Sequence, residues 1–209
     1  MKGAIFDMDG TLVDSMEYWS KIFIKKLDEE NILYPDDVLN IVTPMGVKQG
    51  SEYIHKLGYS KDPETIYKEI EDAMIIEYAT VVPAKPFAME YLKMLKEEGV
   101  KMCVLSASTH KMIEASAKRC GYFDCMEFIM SCEDLGMSKS NPELFRLVAK
   151  KMELSVEDIT VFDDNSTALK TAKKAGVKTC GVYDEASEEY KEEIIAVADK
   201  YIYSFEELL

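Results

Sequence analysis

Lys2-Gly3-Ala4-Ile5-Phe6-Asp7-Met8-Asp9-Gly10-Thr11 decides how the rest of this chain is read. A short apolar run ends in two acids one residue apart, and a glycine follows at once. Residues 2–6 have the length and composition of a buried strand. If the strand ran on, Asp7 and Asp9 would point the same way, because side chains alternate with period two. Gly10 permits a sharp turn that frees Asp9 to swing over a reaction centre. Two carboxylates this close repel unless a cation joins them, and a hard divalent cation with oxygen ligands suits the pair. A plain Asp-Gly surface turn after a strand has the same local sequence. A calcium loop does not: the glycine comes too early, and Tyr18 stands where the closing Glu is needed.

Composition narrows the choices. The 209 residues suffice for one full domain and a smaller one. No apolar run is long enough to span a bilayer, and no secretory leader precedes the first strand. The formal net charge of -14 repels a phosphate backbone, so nucleic acid is not an expected partner. A small anion stays possible where a cation neutralises the site locally. Cys103, Cys120, Cys125, Cys132 and Cys180 are odd in number and form no CxxC pair, which reads as reduced thiols in a cytoplasmic protein, taken here as a monomer. His55 and His110 are the only histidines. A zinc site or a Ser-His-Asp triad has little to work with, so the chemistry must rest on carboxylates.

Outward from the first strand, the pattern is helical up to about Thr80. Trp19, Ile22, Phe23 and Leu27 make one stripe, and Asp62-Pro63-Glu64 reads as the start of a helix that carries Ile66, Ile70, Met74 and Tyr78. Val81-Val82-Pro83-Ala84-Lys85-Pro86 reads as a linker, because two prolines interrupt regular structure. Strands then alternate with helices: helix 87–98, strand 101–105, helix 110–120, strand 127–130, helix 141–152, strand 159–162, helix 166–175 and strand 177–182, with a terminal helix, strand and tail. This implies an α/β fold, a Rossmann-like parallel sheet covered on both faces. Residues 1–13 and 81–209 form its core, and residues 14–80 a small helical cap domain inserted after the first strand. The insertion would sit above the carboxyl edge of the sheet, where open α/β folds bind ligands.

Three more features fall at strand ends or helix starts. Val104-Leu105-Ser106-Ala107-Ser108 ends a strand in hydroxyl residues, and a hydroxyl with the next backbone N–H can hold phosphate oxygens. Lys139 precedes a helix N-terminus, where a cation can offset charge on a transferring group. Ile159-Thr160-Val161-Phe162-Asp163-Asp164-Asn165 ends a strand in paired acids. Each has an ordinary structural reading alone; their order and placement together do not.

With DMDGTLVDS at 7–15, VLSAS at 104–108, Lys139 and VFDDNSTALKTAKKAG at 161–176, the chain resembles the haloacid dehalogenase-like (HAD) hydrolase superfamily. The resemblance is to the branch containing beta-phosphoglucomutase and phosphoglycolate phosphatase. It implies a HAD-like core, a helical cap and magnesium-dependent phosphoryl transfer on a small phosphorylated metabolite. It assigns Asp7 as the nucleophile and Asp9 as the acid and then the base. Mg2+ is assigned to the Asp7 carboxylate, the Asp9 backbone carbonyl and Asp164, with Asp163 as ligand or support. Ser106 and Ala107 would bind the phosphoryl group and Lys139 would offset its charge. Dehalogenases of the superfamily lack the second acid, so Asp9 points to phosphate.

Two departures separate the chain from the mutase. Trp19 stands where beta-phosphoglucomutase has a histidine, and Met45 and Gln49 stand where it has a lysine and an arginine that grips a second phosphate. A neutral Gln cannot replace a bidentate cation, though Lys48 compensates in part. The expected activity is therefore phosphatase, with a sugar-phosphate mutase as the alternative and a non-catalytic or receiver-like phospho-switch as a remote one. Trp19, Met45, Lys48 and Gln49, with Tyr18, are the candidates to face substrate. Ser140 replaces the proline that usually follows the lysine.

Overall fold

The structure, a computed structural model, describes residues 1–42 and 45–209, apart from the side chains at 39 and 40. Six parallel strands form one sheet: β1 (Gly3–Phe6), β2 (Lys101–Ser106), β3 (Phe128–Ser131), β4 (Ile159–Asp163), β5 (Lys178–Val182) and β6 (Lys200–Ile202), in the order β3-β2-β1-β4-β5-β6. This is the doubly wound α/β arrangement the alternating pattern predicts. The chain runs outward from β1 on one side and, from β4, on the other, so the order reverses between β1 and β4.

β1 is central because all four of its residues are buried. Alternate side chains enter two cores. Ala4, Phe6, Val104 and Phe162 face one, and Ile5, Leu105, Val161 and Leu169 the other. On the first face Phe6 stacks on Phe162 with ring centroids 4.7 Å apart, and Tyr91 and Phe205 close the cluster. Phe205 lies in a short 3-10 segment, Phe205–Leu208, whose start is tied by a capping box on Ser204.

Among the described residues four helices follow β1 before the linker: α1 (Met16–Glu29), α2 (Val38–Val42), α3 (Val47–Lys56) and α4 (Pro63–Thr80). Asp62 caps α4 as its sequence predicts, accepting from the N–H groups of Glu64 and Thr65. Among the described residues no strand interrupts 14–80. α5 (Ala88–Glu97), α6 (His110–Cys120), α7 (Pro142–Met152), α8 (Ser166–Ala175) and α9 (Lys191–Val197) alternate with the later strands. Boundaries fall within two residues of those expected. Among the described residues no helix is long and apolar enough to cross a membrane, and the five cysteines are free.

The segments on either side of the four helices run alongside each other. Asp14 N–H donates to the Pro83 carbonyl at 2.9 Å, Lys85 N–H donates to Leu12 at 2.9 Å, and Val13 and Ala84 form an antiparallel bridge. Arg119 of α6 donates to the carbonyls of Val81 and Val82. The linker makes no regular ladder of its own, and these donors from outside satisfy its carbonyls.

Candidate active site

β1 stops at Phe6, and what stops it is a turn anchored from below. Met8, Leu12 and Val13 are fully buried, and the N–H groups of Thr11, Leu12 and Val13 all point to the Met8 carbonyl. Gly10 has φ +75, and a Cβ there would lie 2.7 Å from Asp164 Oδ2. Only glycine satisfies both conditions without strain. Since the strand ends before Asp7, the period-two expectation does not hold for the acid pair, and the two carboxylates find different partners.

Asp7 joins a cluster at the ends of β1 and β4. Its N–H bonds to the Phe162 carbonyl at 2.9 Å, which sets it beside Asp163. Lys139 Nζ lies 2.5 Å from Asp7 Oδ1 and 2.7 Å from Asp163 Oδ2. Oxygens of Asp7, Asp163 and Asp164 lie within 4.8 Å of one another. Asp163 is fixed further by the Asn165 N–H at 2.9 Å, and Asp164 by Thr11 at 3.3 Å and Ser187 at 2.7 Å. The three acids are at most 9% exposed.

Three carboxylates against one ammonium leave this cluster electron-rich. Burial pushes the Asp7 carboxyl well above its ordinary range; Lys139 opposes that, while Asp163, Asp164 and Asp9 add to it. Burial, with the Asp163 charge second, raises Asp164 to about 7. Burial works against the Lys139 ammonium, but Asp163 and Asp7 outweigh it and hold the proton more firmly than in water. Such a donor set, hard oxygens with charge to spare, fits a divalent cation. The Asp9 carboxylate is not part of the group.

Asp9 collects donors instead. Its Oδ1 accepts from Ser15 at 2.7 Å, from the Trp19 indole at 3.4 Å and from Tyr78. Its Oδ2 accepts from Ser108 at 2.7 Å and Ser106 at 3.4 Å. The Ser108 N–H in turn donates to Ser106 Oγ at 3.0 Å. Burial and then the Asp9 charge push the Tyr78 phenol well above its ordinary range, so it remains a protonated donor.

Of the residues singled out in the sequence, Asp7, Asp163, Asp164 and Lys139 thus meet at one point, and Asp9 meets Ser106 and Trp19 beside it. Ala107 is exposed at the end of β2. Lys48 lines a cavity of approximately 410 Å³ with Glu52, Pro63, Glu64, Tyr67 and Glu133. Met45 is half-buried and Gln49 exposed; neither makes a side-chain hydrogen bond to the residues above. His110 opens α6 on the surface. Sequence reasoning missed Tyr78, Ser108, Thr11 and Ser187. Tyr78 was legible in principle, because a phenol on an apolar stripe still needs a partner for its hydroxyl. Ser187 sits in a 3-10 segment after β5 and carries no local signal.

Known proteins resemble this chain along most of its length. YhcW of Bacillus subtilis (strain 168), provisionally named a phosphatase, is 27% identical over 180 residues, covering 85% of this chain and 81% of that protein. The phosphorylated carbohydrates phosphatase of Thermotoga maritima is 22% identical over 182 residues, covering 85% and 83%. Among solved structures, CbbY from Rhodobacter sphaeroides in complex with phosphate superposes with TM-score 0.83 at 18% identity, covering 100% of this chain and 96% of that one. The family model described as haloacid dehalogenase-like hydrolase matches residues 4–182, and the chain belongs to that family.

Proposed function

We propose that this protein is a magnesium-dependent phosphatase of a small phosphorylated metabolite, working through an aspartyl-phosphate. The observation that carries the reading is the buried Asp7–Asp163–Asp164 cluster closed by Lys139. Asp7, Asp164 and the Asp9 carbonyl would hold the ion, with Asp163 supporting. The ion would supply positive charge for the oxygens of the transferring group.

The chain's own residues do the rest. The Asp7 carboxylate attacks phosphorus and the ester oxygen leaves. Asp9 gives that oxygen a proton, then takes one from the water that splits the acyl phosphate. The Ser106 hydroxyl and the Ala107 N–H hold phosphoryl oxygens, and Lys139 offsets their charge. Residues 14–80 act as a cap over the core formed by 1–13 and 81–209, closing to exclude water. We take the protein to act as a cytoplasmic monomer.

A mutase would need a grip on a second phosphate. The cavity that holds Lys48 also presents Glu52, Glu64 and Glu133, three carboxylates against one ammonium, and these repel a second phosphate. The Thermotoga maritima relative's name makes sugar phosphates the first esters to try. The purified protein is expected to release phosphate from members of a monoester panel with magnesium and to lose that activity in excess chelator. A panel without any turnover ends the reading, and robust interconversion of glucose phosphates replaces it with the mutase.

A pH dependence follows from the raised carboxyls. Asp164 titrates at about 7 in the fold but near 3.9 in an unfolded chain. Between those values the folded state binds more protons, so its stability falls as pH rises through that window and levels off above it. A metal must displace the proton. Magnesium should therefore raise the melting temperature clearly above neutral pH and scarcely at pH 5. An equal rise at both would contradict the assignment.

A further inference from the structure

Tyr78 lies in the last turn of α4 and is fully buried. By spacing it belongs to the apolar stripe of that helix, yet its hydroxyl leaves the stripe and donates to Asp9 Oδ1. The phenol oxygen accepts from the Trp19 indole at 3.1 Å, and the Ser108 hydroxyl donates to the other oxygen of the same Asp9 carboxylate at 2.7 Å. One hydroxyl from the helical insert thus shares the carboxylate of the acid that follows β1 with the serine loop that follows β2.

The donor types matter. An indole N–H can only donate, whereas a hydroxyl can donate or accept. When Asp9 carries a proton, an oxygen beside it must accept. Trp19 cannot; its indole N–H is shared between the phenol oxygen at 3.1 Å and Asp9 Oδ1 at 3.4 Å, and a donor already directed at the phenol oxygen leaves the Tyr78 hydrogen for Asp9 when Asp9 is ionised. Ser15 comes from the start of α1, six residues along the chain from Asp9; Tyr78 lies 69 residues away. It makes the orientation of the acid depend on how α4 is seated.

We propose that Tyr78 is a positioning residue for Asp9. Its hydroxyl orients the carboxyl, and through it helix α4 governs proton delivery to the leaving oxygen. The proposal rests on the phosphatase reading given above. It requires no movement of Asp7, Lys139 or the cation ligands, so a defect at Tyr78 should affect protonation of the leaving group and spare the attack.

Leaving groups separate these effects. p-Nitrophenolate departs without a proton, whereas the alkoxide of β-glycerophosphate needs one. In Tyr78→Phe, which keeps the buried ring, kcat/KM on β-glycerophosphate should fall roughly 30-fold and on p-nitrophenyl phosphate less than ~3-fold, a partial loss of the roughly 10²–10⁴-fold that a positioned acid contributes. An equal loss on both esters, or no loss on either, overturns the proposal. Asp9→Asn run beside it tests the reading underneath. If Asp9→Asn cleaves the alkyl ester at the wild-type rate, or the wild type is inert towards both esters, the phosphatase reading falls and the proposal with it. If Asp9→Asn is impaired but Tyr78→Phe shows no selective loss, only the role of Tyr78 falls. Should Tyr78→Phe not fold, Trp19→Phe, which removes the donor that orients the phenol, should show the same selectivity to a smaller degree, and an equal loss on both esters there also overturns it.

Discussion

Asp7→Asn should abolish phosphate release, lowering kcat by roughly 10³-fold or more, as expected when a nucleophile is removed and only binding and electrostatics remain. The substitution changes little else. Asn has the same shape, and Lys139 keeps Asp163 at 2.7 Å. It also removes one of three buried carboxylates that repel one another, so the metal-free variant should melt no lower than the wild type. Full stability with no turnover, and no acid-quenched phosphoprotein where the wild type yields one, would place the loss in the chemistry. Wild-type activity in Asp7→Asn would remove the covalent mechanism. Lost activity with a collapsed fold would instead mean that the carboxylate serves the structure.

Lys139→Met should have the opposite balance, damaging both stability and rate. Its ammonium bridges Asp7 and Asp163, both at least nine-tenths buried. Removing it leaves two carboxylates without a counter-charge in a place water scarcely reaches. Breaking a buried pair from one side costs about 3–5 kcal/mol, and losing a charge aimed at the transferring group costs roughly 10²–10³-fold in rate. The two losses are separable. Magnesium supplies positive charge to the same oxygens, so urea unfolding with saturating metal should recover much of the stability, while phosphate release stays low. Recovery of both by metal would show that Lys139 only balances charge, and a variant as stable as the wild type without metal would contradict the pairing.

The parts of this fold that depend on periodicity were legible in the sequence. The alternation after residue 87 revealed the five later strands of the parallel sheet and the helices between them, because buried strands are short apolar runs and the covering helices show a 3.6-residue stripe. Gly121 and Gly176, both at positive φ, mark the ends of α6 and α8 where they were expected. Phe87 was not legible in this way: it takes φ +61 at the start of α5, a conformation that favours glycine. The site was legible where chemistry follows strand ends, as at Asp7, Ser106 and Asp163. It was not legible where a contact joins distant elements. Nothing near Tyr78 or Ser187 in the chain announces that one reaches Asp9 and the other Asp164. For the acid pair, period two applies only while the strand lasts, and β1 ends at Phe6, where the sequence placed its end.

The paired segments at Val13 and Ala84 give the helical insert a single doorway: the chain leaves and re-enters at adjacent points. An element spliced in through one doorway can be exchanged for another without re-threading the sheet, as a tool head is changed on a common handle. Here the exchange would not be neutral, because Trp19 and Tyr78 belong to the removable part while Asp9 belongs to the handle. Under the proposed mechanism, a different insert seated through that doorway would change the hydrogen bonds on Asp9 together with the face laid over the site, so that specificity and catalytic power would shift together.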